Sequence, residues 1–310
     1  MTEITAGREK GSRRPRGYAD WRPQEKTRQL LEQVSTVFGQ YEDFLPLTVR
    51  QVFYRLVGSF GYEKTEQAYA RLAEALVRAR RARLVPFGHL RDDGVVVAQT
   101  RWYQDERDFM ESFAEEAKSY QRDLQQGQKY QIELWSESAG MLPQLASVAN
   151  AFSVPVYSAS GFGSLSAVRQ IVERAQEWDR LVVLHVGDYD PSGESIFEAM
   201  TTDAQAFLEE DRLLASQEII PVRVALTAEQ VARHGLPTAP AKASDSRSRR
   251  WDGETCQLEA LAPSDLARIV RGAIVAYLDE DVLDHQLHQE QQDRIARQRA
   301  LPAGTSEDVD

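Results

Sequence analysis

The hydrophobic period of the chain changes near its middle, and the change divides it in two. From about residue 24 to 110 apolar positions recur at helical spacing, which predicts helices over about 24–41, 48–57 and 65–82. In the second of these, Val49, Val52, Phe53 and Leu56 fall at i, i+3, i+4 and i+7 behind Thr48, so Thr48 is the expected N-cap and the four apolar residues the buried stripe. The Gly-containing stretch SFGYEK interrupts the pattern before the third helix. After it, PFGHLRDDGVVVAQT reads as a β-hairpin turning at Asp93-Gly94. Two helices across a tight turn and then a hairpin predict a winged helix-turn-helix.

From about residue 130 short apolar runs alternate with amphipathic helices, the pattern of a parallel α/β sheet. Strands are expected at YQIELWS, SVPVYSA, RLVVLHVGD and IIPVRVAL, with helices at about 140–152, 164–178, 192–210 and 264–283. Residues 237–255 lack apolar spacing and read as an exposed loop, and both chain ends are polar and aperiodic. The expected fold class is α/β: a basic arm over 1–23, a winged-helix domain over 24–115, a parallel α/β domain over 125–290 and a tail over 291–310.

Composition narrows the chemistry. A chain of 310 residues with 42% hydrophobic content can bury two cores. It has no apolar run of membrane-spanning length and a polar, basic N-terminus, so a cytoplasmic protein with no membrane partner is expected. One cysteine, Cys256, and five scattered histidines exclude an internal disulfide and a Cys/His zinc site, which leaves oxygen ligands for any metal. The net charge of −11 argues mildly against a nucleic-acid partner, but it is unevenly spread. Positive charge gathers at Arg8, Lys10, Arg13, Arg14 and Arg16, while acids crowd 193–217 and 278–290. On the third helix Ala68, Leu72, Ala75 and Ala79 form the inner face, so Arg71, Arg78 and Arg81 point elsewhere, and Arg80, Arg83, His89 and Arg91 extend the basic surface toward the hairpin. These seven are the candidate DNA contacts, with a solvated arginine-rich helix end as the alternative.

Two strand ends carry acids. YQIELWSESAG leads through Glu137 into a helix, and RLVVLHVGDYDPSGES leads through Asp188-Tyr-Asp190-Pro-Ser-Gly into the next. Ligands of open α/β sheets sit beyond the carboxyl ends of strands, where these three acids fall. Carboxylates gathered without basic partners repel one another, and a hard divalent cation such as Mg²⁺, or Mn²⁺ in its place, relieves that repulsion. Asp, Pro, Ser and Gly are also ordinary turn and cap residues, so the second motif alone has a bland reading. Ser160 and Gly161, at another strand-to-helix junction, are candidate phosphate contacts through free backbone N–H groups. On the 48–57 helix Tyr54 lies off the predicted apolar stripe, one turn from Arg50. An exposed phenol beside a guanidinium suits a nucleophile attacking phosphate, and equally a surface tyrosine held for stability.

These residues occur in a known combination. Arg50-Gln-Val-Phe-Tyr54 resembles the Arg-x-x-x-Tyr motif in the catalytic winged-helix domain of topoisomerase VI A subunits and the related meiotic double-strand-break protein. Glu137 and Asp188-x-Asp190-Pro-x-Gly resemble the Toprim domain that follows it in those proteins, in the same order, so that the resemblance covers about residues 25–290. It implies a Toprim-type α/β domain, with Glu137, Asp188 and Asp190 as Mg²⁺ ligands and Tyr54 as the nucleophile that forms a 5′-phosphotyrosyl link. Arg50 becomes the phosphate-binding neighbour of Tyr54. It further implies a homodimer acting on double-stranded DNA, each protomer's Tyr54 working at the partner's acids, in a nucleoid-associated setting. The family commonly places a basic residue after the Toprim glutamate, whereas Ser138 stands here, so that phosphate-neutralising help is either missing or supplied from elsewhere, with Lys242 and Arg247 as the candidates. No ATPase motif is visible, which is similar to compact stand-alone "mini-A" relatives; strand passage would need a separate ATPase subunit. A Toprim nuclease that hydrolyses DNA and a non-catalytic winged-helix DNA-binding protein remain the alternatives.

Overall fold

The computed structural model describes residues 18–91, 102–158, 165–211, 216–241, 251 and 253–300. The chain divides into two compact units, Met1–Asp92 and Asp93–Asp310. In the first, α1 (Glu25–Gln40), α2 (Val49–Phe60) and α3 (Glu66–Arg81) are joined by short turns. Thr48 caps α2 as expected: its side chain accepts from the N–H of Gln51 while the Gln51 side chain accepts from the Thr48 N–H, a reciprocal pair that satisfies two otherwise orphaned donors. Gly61 ends the helix with φ 66°, a left-handed conformation open to glycine. Strands β1 (Leu47–Thr48) and β2 (Leu90–Arg91) pair in parallel. The expected hairpin turn at Asp93-Gly94 lies outside the described residues.

The second unit holds α4 (Glu106–Lys118), most of which falls within the first domain as drawn from the sequence. There follow β3 (Gln131–Ser136), α5 (Leu142–Ala149), β4 (Val156–Ser158), α6 (Leu165–Glu177), β5 (Arg180–Val186), α7 (Pro191–Asp211) and β6 (Glu218–Ala225). The four strands are parallel in the order β4-β3-β5-β6. Parallel strands buried on both faces read as continuous apolar runs, and β5 is buried from Leu181 through Val186. One face packs Trp135, Leu181 and Val183 against Val168, Ile171 and Val172 of α6 and Phe197, Met200 and Leu208 of α7. Alternation along the strands turns Ile132, Leu134, Val182 and Leu184, all fully buried, to the other face. There α5 packs on α9 (Pro263–Val275), tied by the bond from the Gln144 side chain to the Pro263 carbonyl at 3.2 Å.

The strand order fixes where a ligand site can form. After β3 the chain crosses to β4, and after β5 it crosses the opposite way to β6, so right-handed connections send the covering helices to opposite faces. The carboxyl ends of β3 and β5 therefore flank a topological switch point, where diverging loops leave a crevice.

Between β6 and α9 the chain forms α8 (Ala228–Arg233), β7 (Ala239–Pro240) and β8 (Glu254–Thr255), the last two an antiparallel pair within the segment expected to be a plain loop. The single helix expected over 264–283 is two, α9 and α10 (Glu280–Ala300), and α10 continues through much of the segment expected to be a tail. It carries little apolar periodicity because polar contacts hold it: Arg122 donates to Gln286 at 2.6 Å and pairs with Asp293 at 3.0 Å, and Arg297 lies over the Tyr120 ring at 3.9 Å. Among the described residues no helix is long and apolar enough to cross a membrane. Leu134, in the middle of β3 and fully buried, is expected to cost roughly 2–5 kcal/mol when replaced by alanine, measured by denaturant unfolding; a cost below about 1 kcal/mol would contradict the two-sided packing of the sheet.

Candidate metal centre

The acids are placed by backbone ladders that run past the ends of the strands. The Glu137 N–H donates to the Val186 carbonyl at 3.1 Å, which fixes Glu137 beside the end of β5. Beyond β5, the Gly187 N–H donates to Ala225 at 2.7 Å and the Gly187 carbonyl accepts from Leu226 at 2.8 Å. Tyr189 then exchanges two bonds with Cys256, at 2.8 and 2.9 Å, so the stretch between Asp188 and Asp190 is extended and pinned on both sides.

Each acid is engaged by a backbone N–H. Glu137 Oε2 accepts from the Asp188 N–H at 3.3 Å, Asp188 Oδ1 from Leu258 at 2.8 Å, and Asp190 Oδ1 from Gly193 at 2.7 Å. The last bond is a helix cap with Pro191 in the first turn of α7, so the turn-and-cap reading of Asp-Tyr-Asp-Pro-Ser-Gly holds for that one oxygen. It does not exclude the other reading, because Glu137 and Asp190 each keep a second oxygen outside these bonds.

Two glycines let the acids close in. A β-carbon on Gly187 would lie 2.7 Å from Glu137 Oε2, nearer than real contacts allow. One on Gly193 would meet Glu137 Oε2 at 3.0 Å and Asp190 Oδ1 at 3.4 Å. Glu137 and Asp190, 53 positions apart by number, thus border the same small space at the switch point. Their crowding has an electrostatic consequence. Burial, and then the charges of Asp188 and Asp190, push the Glu137 carboxyl up to about 6 from an ordinary 4.5. Among the described residues no group of three or more acid, histidine or cysteine side chains stands close enough together to hold a metal ion. The donor set nonetheless fits a hard cation: three carboxylates, oxygen only, with repulsion that a divalent ion relieves.

The chain gives these residues no partner family to lean on. No protein-family model and no curated protein matches it.

The sequence left Arg223 and His185 out of the site. Arg223, half-buried on β6, donates to the carbonyls of Gly187, at 3.2 Å, and of Asp188, and contacts His185 Nδ1 at 2.7 Å. Guanidinium only donates, so Nδ1 of His185 is the acceptor and the imidazole is neutral. Burial, then the charge of Arg223, depresses His185 to about 3, consistent with that state. The available signal was a lone cation in IIPVRVAL, a strand otherwise apolar.

The first unit departs from expectation at Tyr54. It is buried, with 5% exposure, where an exposed phenol was expected. Helix α2 lies between α1 and α3 and buries a wider arc than the four-residue stripe, taking in Gln51 and Tyr54 while Val49 stays half-buried. Tyr54 sits edge-on to Phe53 at 5.4 Å, and Phe53 also meets Tyr62 and Tyr69, so the phenol belongs to an aromatic cluster, with the Lys64 ammonium 5.9 Å from its ring. Arg50 is exposed on the same helix.

The candidate DNA contacts differ among themselves. Arg71 and Arg78 are exposed but pair with Glu63, at 2.9 Å, and Glu74; such exposed pairs exchange partners at little cost. Arg80 lies over the Phe87 ring and Arg83 over the Tyr18 ring, at 5.4 and 4.2 Å. Arg81 ends α3, half-buried. His89 packs edge-on against Phe38, and Arg91 donates to the Pro46 carbonyl at 2.6 Å, so these two serve the fold of the unit. Ser160, Gly161, Lys242 and Arg247 lie outside the described residues.

A carboxyl whose folded-state pKa is raised favours the folded protein at low pH. That contribution is complete below about 4.5 and is lost as pH rises through about 6. Metal-free protein is expected to lose roughly 1 kcal/mol over this interval, after allowing for solvent screening at a part-exposed group, and Glu137→Gln to lose none of it. Denaturant unfolding at a series of pH values measures this; identical profiles for the two proteins would mean that neither burial nor the neighbouring acids raise the Glu137 carboxyl.

Proposed function

We propose that this protein cleaves the DNA backbone with Mg²⁺, or Mn²⁺ in its place, held by Glu137, Asp188 and Asp190 in a Toprim-type domain, as a relative of topoisomerase VI A subunits. The observation that carries the reading is the meeting of acids from two strand ends at the switch point of a parallel sheet, with Glu137 raised to about 6. A divalent cation bound there would polarise a phosphate oxygen and steady the leaving oxygen of a phosphodiester. Glu137 must be deprotonated to serve, so the site favours cation binding above about pH 6.

In the first reading the N-terminal unit is a winged helix that holds double-stranded DNA, and Tyr54 is the nucleophile. Tyr54 gives up its phenolic proton and its oxygen bonds the phosphorus. The P–O3′ bond breaks, and the 3′ oxygen leaves with a proton. Arg50 binds the phosphate under attack, and exposed arginines led by Arg71 and Arg78 neutralise flanking phosphates. A homodimer is the assembly that delivers paired cuts, and strand passage would fall to a separate ATPase subunit. A nucleoid-associated location follows from a DNA substrate.

A second reading, hydrolysis by water at the same acids, is favoured by the burial of Tyr54. Tyr54 then belongs to the aromatic core of its unit. Supercoiled DNA incubated with the protein and Mg²⁺ or Mn²⁺, then quenched with denaturant, separates the two. DNA covalently attached to protein, absent from Tyr54→Phe, is the expected result for the first; free cut ends that persist in Tyr54→Phe identify the second. Asp188→Ala is expected to lower either activity by more than the roughly 10–100-fold that loss of an outer-shell partner costs. Binding without cutting by wild-type protein would reject both and leave a non-catalytic DNA-binding protein.

A further inference from the structure

Arg223 is costly to place where it is. A charged side chain in a strand of a covered parallel sheet gives up hydration that only well-formed hydrogen bonds restore. Several of its bonds meet just past the ends of β5 and β6. The guanidinium reaches two successive backbone carbonyls, Gly187 and Asp188, and its Nε approaches the Leu226 carbonyl at 3.4 Å. The regular pairing of β5 with β6 shifts between His185 and Val186, immediately before these carbonyls. The fork of an arginine can span such a break, where the single ammonium of lysine cannot.

The guanidinium is itself held. His185 Nδ1 accepts from it at 2.7 Å, and the imidazole stacks on Phe197 with ring centres 4.3 Å apart and planes within 10°. Phe197 lies on α7, the helix that Asp190 caps. Strand β5, strand β6 and helix α7 are thus linked through the His185 ring, which contacts Arg223 on one side and Phe197 on the other. A structural pair elsewhere on the sheet shows the contrast: Arg174 bonds the buried Glu133 side chain and lies over Tyr157, side chain to side chain, without touching the acid-bearing backbone.

We propose that Arg223 is a positioning residue for the acid cluster: locked by His185, its guanidinium staples the backbone of Gly187 and Asp188 and so fixes the segment that carries Asp188 and Asp190 beside Glu137. This rests on reading the three acids as a cation site. Outer-shell partners of this kind orient metal ligands without touching the metal. The same positive charge also eases the repulsion that raises Glu137.

Two measurements on the full chain test the staple without reference to DNA cleavage. The first is backbone hydrogen exchange over 186–193 in metal-free protein; the second is the Mn²⁺ dissociation constant. Arg223→Met and Arg223→Lys are compared with wild type and with Leu208→Ala, a fully buried position toward the far end of α7 that reports general destabilisation. Both Arg223 variants are expected to exchange faster over 186–193 than over 131–136, and to bind Mn²⁺ about 10–100-fold more weakly, with lysine rescuing only in part. Leu208→Ala is expected to leave Mn²⁺ affinity unchanged. Should Arg223→Met fail to fold, Arg223→Lys decides. Wild-type exchange and wild-type Mn²⁺ affinity in the Arg223 variants would overturn the staple alone. A wild-type protein that binds no Mn²⁺ would instead remove the cation reading, and with it the purpose assigned to the staple.

Discussion

The mutual repulsion of carboxylates at the end of a parallel sheet is the constraint to which the rest of the second unit answers. Negative charge of this density is tolerated only where the backbone holds it. Here three separate N–H groups, from Asp188, Gly193 and Leu258, each take an acid oxygen, and the strand ladders run on past β3 and β5 to fix the residues that carry them. The fold supplies the geometry and brings the Glu137 and Asp190 oxygens close. Burial, and then the charges of Asp188 and Asp190, keep the Glu137 carboxyl protonated to about pH 6. A site that stores unfavourable electrostatics at a crevice is one that gains most from a cation, since the binding free energy includes relief of the repulsion.

The glycines on either side of the cluster belong to the same design. At Gly187 and Gly193 a side chain would occupy the space where Glu137 and Asp190 meet. Their role is close approach, independent of any unusual backbone conformation. Arg223 acts on the same segment from β6, through the backbone carbonyls of Gly187 and Asp188.

The parallel sheet and its acids were legible because both leave local signatures. Continuous apolar runs such as RLVVLHV mark strands covered on two faces, and acids at their carboxyl ends mark a ligand position by topology alone. Thr48 and the face of Ala68, Leu72 and Ala79 on α3 were legible for the same reason, since capping and i, i+4 spacing are local. What the sequence hid depends on tertiary contact. Tyr54 lies off its apolar stripe by periodicity yet is buried, because α1 and α3 together cover more of α2 than one stripe. Helix α10 leaves no helical signature of its own because Arg122 and Tyr120, far away in sequence, anchor it through Gln286 and Asp293, and polar anchors leave no period to detect. Arg223 becomes meaningful only once β6 lies beside β5.

The central claim is that Glu137, Asp188 and Asp190 share one divalent cation. Crystals of the protein soaked in Mn²⁺ test it most directly, through anomalous scattering. The account predicts a single peak at the switch point within about 2.0–2.6 Å of oxygens from all three acids, the range of hard-cation coordination. A peak elsewhere, or none with the three carboxylates turned apart, would contradict it.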